Sequence, residues 1–352
     1  MNMNINYFES IECFFEKEKN KNKEFLLLIA SKTDFNINEF KKNDLVISGG
    51  IFPHVIYKNR LFEEGLIAIE IVEPMKLHFI EDIQNYDFDE KMFESSKSII
   101  TILEGFCCFN EKFLTKLFDT VEVNTNILGG AAGVIQEGNK PVLFTNNGFV
   151  SKSAILLTLN NCMNVSAKHG LDYLEGPFIV TSSKANELES IDYEDAFEVY
   201  KRVIKKDCNI ELNEENFLEI SEKYPIGIVK YKGEEVVRDP MAIKDGKLVL
   251  VGEVSQNSMI NILKADKENL IKAAKEATLE TLKTQCLDIL MFNCIGRKAF
   301  LDESFQDELN IVYESSNKSK IAGVTTVGEI ANSGNRYINF LNKTCVIGGV
   351  CN

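Results

Sequence analysis

Apolar runs of strand length recur along the chain: FLLLIA (25–30), LVISGGIFPHVIY (45–57), GLIAIEI (65–71), NILGGAAG (126–133), LVLVGEV (248–254), LDILMFNC (287–294) and KIAGVTTVGEI (320–330). Runs so short and so uniformly apolar read as strands buried on both faces, which requires sheets covered by other elements. The glycines read as turns at strand ends. Residues 45–57 are therefore expected as strand, glycine turn, strand, and 126–133 as a further strand-to-glycine turn.

Helical patterns lie between the runs. Residues 91–118 carry two of them, around the apolar stretch Ile99–Phe109. The pattern at 267–284 puts Ile271, Ala274, Thr278 and Leu282 on one side, as on a helix lying against a sheet. The next helix is expected to start at Asp302 as N-cap and to bury Phe305, Leu309 and Val312. VTSSKANELESIDYEDAFEVYKRVI (180–204) runs from a strand through a polar turn into a helix with Ala196, Val199, Tyr200 and Val203 inward. Its Thr181, Ser182, Ser183 and Asn186 are expected to cap that helix, with ligand hydrogen bonding as the alternative.

This alternation predicts a mixed α/β (α+β) architecture of two packed domains, with mixed sheets flanked by helices. A length of 352 residues also favours two domains. Strand, helix, strand, helix and glycine turn occur both before residue 133 and again over 248–330, so two related halves are an open reading. The boundaries expected are 1–24 for an N-terminal helical extension, 25–190 for the first domain and 191–352 for the second.

Composition narrows the partners. A formal net charge of −14 repels phosphate backbones and anionic headgroups, and no Lys/Arg cluster set among aromatics offsets it. Neither nucleic acid nor membrane insertion is expected, since no apolar run reaches spanning length. Nine cysteines without CxxC spacing fit a reducing cytoplasm.

The chemistry-bearing residues gather in FNCIGR (292–297), GVTTVGEIAN (323–332), NFLNKT (339–344) and VVRDP (236–240). Arg297 and Arg238 are candidates to take a carboxylate through a guanidinium fork, and Glu329 and Asp239 to take an ammonium. The competing reading is an Arg–carboxylate pair that ties the motifs together; Asp239 is also good turn vocabulary. Cys294 could touch a ligand, serve as a thiolate, or sit as a small buried hydrophobe. A nucleophile needs a base, and neither His54, His78 or His169 nor a second acid is expected within its reach. Gly129 and Gly130 could turn backbone N–H groups toward an anion or pack closely on a neighbouring strand; the segment is neither GxGxxG nor a P-loop. Asn332, Thr181 and Ser183 complete the candidate ligand-binding set. No His/Cys/Asp cluster has metal-ligand spacing.

Together, GGAAG, VTSSKANELESIDYEDAFEVY, VVRDP, FNCIGR and GVTTVGEIAN resemble the FIST family over about residues 25–344. The resemblance implies a FIST N-terminal domain to about residue 190 and a FIST C-terminal domain after it. It implies an intracellular sensory module of a bacterial signalling protein that binds a small ligand such as an amino acid. A signal would then pass to an output domain or partner, such as a histidine kinase or diguanylate cyclase. Some members bind haem and report nitric oxide, so the alternative is non-covalent haem. His54, flanked by Phe52, Val55, Ile56 and Tyr57, is then the best histidine candidate for an axial ligand, with a purely structural histidine as the competing reading. An enzyme using Cys294 is the second alternative.

Overall fold

The computed structural model describes residues 3–19, 22–41, 45–134, 140–231, 234–284, 286–332 and 337–351. Ser333 and Gly334, which follow the GVTTVGEIAN motif and extend it to KIAGVTTVGEIANSG (320–334), lie outside them, as does Asn352. Three six-stranded sheets with one shared topology dominate the fold. In the first, Glu24–Ala30 runs parallel to Val46–Phe52 and antiparallel to Leu66–Ile71, with Asn4–Phe8 beyond. In the second, Ser98–Glu104 runs parallel to Asn126–Ala132 and antiparallel to Ala154–Leu159, with Lys76–Ile80 beyond. In the third, Cys286–Cys294 runs parallel to Lys320–Thr326 and antiparallel to Cys345–Cys351, with Met163–Lys168 beyond.

The sixfold order is completed by an exchange of hairpins. Val55–Tyr57 with Arg60–Phe62 adds to the third sheet, Leu143–Thr145 with Gly148–Val150 to the first, and Glu329–Asn332 with Ile338–Leu341 to the second. Each repeat thus donates its hairpin to another repeat's sheet, and the cycle closes. The structure is a threefold repetition, where the sequence reading left two related halves open. The third unit escaped notice because its strands at 163–168 and 286–351 are separated by a long insertion.

Burial follows the two-residue period of a strand. Leu26, Leu28, Ile100, Ile102, Leu290 and Phe292 point into one shared central core. Phe25, Leu27 and Ile29 face the helices Ile11–Glu18 and Ile37–Lys41. Ile99 and Leu103 face the helix Asn110–Thr120, and Ile289 and Met291 face Lys267–Thr281 and Phe305–Ser315. Both faces are covered, which accounts for the uninterrupted apolar runs.

Several local expectations are corrected. The stretch before residue 24, expected as a helical extension, also supplies the edge strand Asn4–Phe8. Ile99–Phe109 is no helix junction: Ser98–Glu104 is a fully buried strand, whose β-branched run Ile99–Ile102 suits a pleated sheet. Gly49, Gly50, Gly129 and Gly130 lie inside strands and make no turn. The pattern at 267–284 is a helix over Lys267–Thr281 whose buried side is Leu270, Ala274, Ala277, Thr278 and Thr281, so Ile271 and Leu282 sit at its margin. Phe305, Leu309 and Val312 are buried as expected, but Asp302 breaks the chain with φ 53° and the helix begins at Phe305.

Residues 172–264 form the insertion, a sheet ordered Val236–Arg238, Ile226–Ile228, Met259–Lys264, Asp172–Lys184, Glu187–Ile191, Lys247–Leu250, Pro240–Lys244. Residues 248–254, read as a strand that precedes 287–294 in the chain, contribute Lys247–Leu250 to this sheet. The helix Ala196–Cys208 buries Ala196, Val199, Tyr200 and Val203, and its cap is Asp195, which accepts from the N–H groups of Phe197 and Glu198 at 3.0 and 3.4 Å. Thr181 and Ser183 therefore cap nothing; they lie within the long strand Asp172–Lys184. Among the described residues no helix is long and apolar enough to cross a membrane.

Candidate functional site

The strand Cys286–Cys294 ends against the insertion, and a cavity of about 260 Å³ opens between the two. Cys294, Gly296, Val327 and Lys343 line it from the three-sheet body, and Leu218, Glu222, Asp239, Met241 and Val251 from the insertion. The Lys343 ammonium donates to the carbonyl of Gly296 at 2.9 Å and lies 3.9 Å from Asp239 Oδ2. Asp239 Oδ1 and Asn342 Oδ1 are buried without a hydrogen-bond partner, a costly state that a bound donor would relieve. Burial pushes the Asp239 carboxyl above its ordinary range, and the Lys343 charge opposes the shift.

Gly296 leaves space where these groups meet. A Cβ there would stand 3.2 Å from Asp239 Oδ2, 3.4 Å from Lys343 Nζ and 3.6 Å from Cys294 Sγ.

Behind this wall is a buried acid. Glu329 is 0% exposed; its Oε1 accepts from Thr326 Oγ1 at 2.7 Å and its Oε2 from the Thr344 N–H at 3.3 Å. Burial drives its carboxyl well above the usual range, against those hydrogen bonds. Glu329 is an acidic neighbour of Cys294. Burial, then the charges of Glu329 and Asp239, pushes the thiol up, away from the thiolate a nucleophile requires.

The two arginines are structural. Arg297 is fully buried: Nε donates to Glu308 at 2.8 Å, NH1 to the carbonyls of His169 at 2.6 Å and Lys343 at 3.1 Å, and NH2 to Glu308 and to the Leu270 carbonyl. All its donors are consumed in holding two helices and the turn that carries Lys343. Arg238 donates to the carbonyls of Glu253, Val237 and Phe340 and to Glu111, joining the insertion to the second sheet. Neither offers a free fork to a ligand.

The other candidates also serve the fold. Asn332 accepts from the Ile127 N–H and donates to the Thr125 carbonyl. Thr181 bonds Ser190, and Ser183 donates to the Val254 carbonyl. A side chain on Gly129 would run into the Thr101 carbonyl and one on Gly130 into Thr326, so both positions serve close packing. His54 Nδ1 bonds Thr325 Oγ1 at 2.9 Å, and burial, then Lys298, pushes its pKa down to about 4. It is not among the residues that line this cavity. Among the described residues no group of three or more His, Cys, Asp or Glu is placed to hold a metal ion.

Residues 25–194 match the FIST N domain, and residues 196–332 match the FIST C domain. The chain belongs to the FIST family. FIST domains are sensory domains. No curated protein matches the chain. The two matched segments of this FIST protein meet inside the insertion, yet their strands share sheets, since hairpin 329–341 completes the sheet of 98–104. The cavity draws on both segments as well: Phe106 comes from the first and Lys343 follows the second. Lys343 was missed although it stands in the quoted NFLNKT, because one lysine in an asparagine-rich turn has no distinctive pattern. Its signal was the kindred Ser-Lys-Ser at 151–153, also just ahead of an apolar strand.

Proposed function

We propose that this FIST protein is a non-enzymatic sensory module whose cavity takes an amino acid with an apolar side chain. The observation that carries this reading is the Lys343–Asp239 pair, 3.9 Å apart on the cavity wall, with Asp239 Oδ1 still unpartnered. Lys343 would meet the ligand carboxylate, and Asp239 with Asn342 its ammonium. Leu218, Met241, Val251 and Val327 supply an apolar wall. The volume lies just below the roughly 300–1,000 Å³ of ordinary small-molecule pockets, which favours a small ligand.

Burial raises the pKa of both the Cys294 thiol and its neighbour Glu329, which disfavours the thiolate and the carboxylate base that catalysis would need. Since the cavity lies between the insertion and the three-sheet body, a ligand gripping both would change their fit. That change is what an output domain or partner protein, a kinase or cyclase for example, would read.

The test is a thermal-shift screen of the full chain against the amino acids. A rise in Tm with apolar members is expected, and its loss in Asp239→Asn and in Gly296→Ala, where the new methyl occupies the space between the charges. Failure of every amino acid to shift Tm, or a shift intact in both variants, would overturn the reading.

A further inference from the structure

The second sheet repeats the end structure of the third, and a second cavity of about 270 Å³ opens there. Strand register fixes the equivalence. Leu103 pairs with Ala131 and Ala154 as Asn293 pairs with Thr325 and Cys345. Glu104 therefore stands where Cys294 stands, and Lys152 where Lys343 stands. Both lysines adopt left-handed backbone, with φ 53° and 51°. A buried carboxylate holds each turn, though from a different position: Glu104 accepts from the Lys152 N–H, and Glu329 from the Thr344 N–H. In the first sheet the matching residues are Ala30 and Glu64, so the acid–lysine arrangement is not repeated there.

The second cavity has a different chemistry from the first. Glu104 is buried and accepts from the backbone N–H of Lys152. The cations on the lining are Lys140 and Lys152, while Phe106 and Phe109 supply aromatic faces. Lys152 Nζ lies 5.5 Å from the Phe109 ring centroid, which places positive charge beside an aromatic wall.

We propose that this cavity is a second small-molecule site, for an aromatic monocarboxylate whose ring meets Phe106 and Phe109 and whose carboxylate meets Lys152. Unlike the first site, it asks for no ammonium on the ligand. Phe106 lines both cavities, so the two sites share a wall.

The test is a fluorine NMR titration of the full chain with 4-fluorophenylacetate, beside its neutral amide, 4-fluorophenylacetamide. Saturable binding of the acid is expected, with the amide weaker. Affinity should fall about tenfold or more in Lys152→Met, as for loss of one charge-assisted hydrogen bond, and persist in Lys343→Met. Lys152 is exposed, so the variant should fold, and an unchanged Tm confirms it. Absence of saturable binding, equal binding of the amide, or binding that survives Lys152→Met would overturn the proposal. Binding lost in Lys343→Met but kept in Lys152→Met would assign the probe to the first cavity and overturn it equally.

Discussion

Glu329 shows how one buried residue links fold, site and pH. A carboxyl whose folded pKa is raised keeps its proton where the unfolded chain has released it. Its contribution to stability is complete below the ordinary glutamate pKa and is lost as pH rises through the folded value. Glu329→Gln imitates the protonated form, since its amide can accept from Thr344 N–H and donate to Thr326 Oγ1. The variant should remain folded, and between neutral and mildly alkaline pH its Tm should decline less than that of the wild type. A steeper decline than wild type would show that the carboxylate, and not the acid, is the stabilising form. At this scale the sequence was legible in residue type only. It showed that Arg297, Glu329 and Cys294 belong to one neighbourhood, but whether a guanidinium is free depends on carbonyls such as those of Leu270 and Lys343, remote in the chain.

The glycine-bearing strands are the element common to all three sheets. Gly49, Gly129 and Gly323 occupy the same register, opposite Leu27, Thr101 and Met291, and a Cβ at each would run into the carbonyl of that neighbour. The apolar runs were readable as strands because both faces are buried, whereas the glycines read as turns because close approach and reversal use the same residue. Gly323→Ala should cost about 1–3 kcal/mol by overpacking, measurable by urea denaturation, with no change in chain length or charge. A neutral effect would mean that the strand spacing adjusts, and the close-approach account would fail. The inward faces of the helices Ala196–Cys208 and Phe305–Ser315 were legible because their period is local.

For the whole molecule, the cyclic exchange of hairpins makes the FIST N and FIST C segments interdependent. Mixed α/β character and family were within reach of the sequence; the threefold plan was not, because each sheet borrows strands from distant residues. A fragment of residues 1–194 would leave the hairpin 55–62 and the strand Met163–Lys168 without their sheet partners. It should aggregate or unfold without a cooperative transition, while the full chain unfolds as one unit by calorimetry. A monomeric, cooperatively folded fragment would contradict the exchange.

The most direct test of the binding site is isothermal titration calorimetry with the amino acid that gives the largest thermal shift, on wild type and Lys343→Met. Loss of the ammonium that meets the ligand carboxylate should weaken binding about tenfold or more at unchanged stoichiometry. Equal affinity in the two proteins would remove Lys343, and with it the cavity beside Cys294, from ligand recognition.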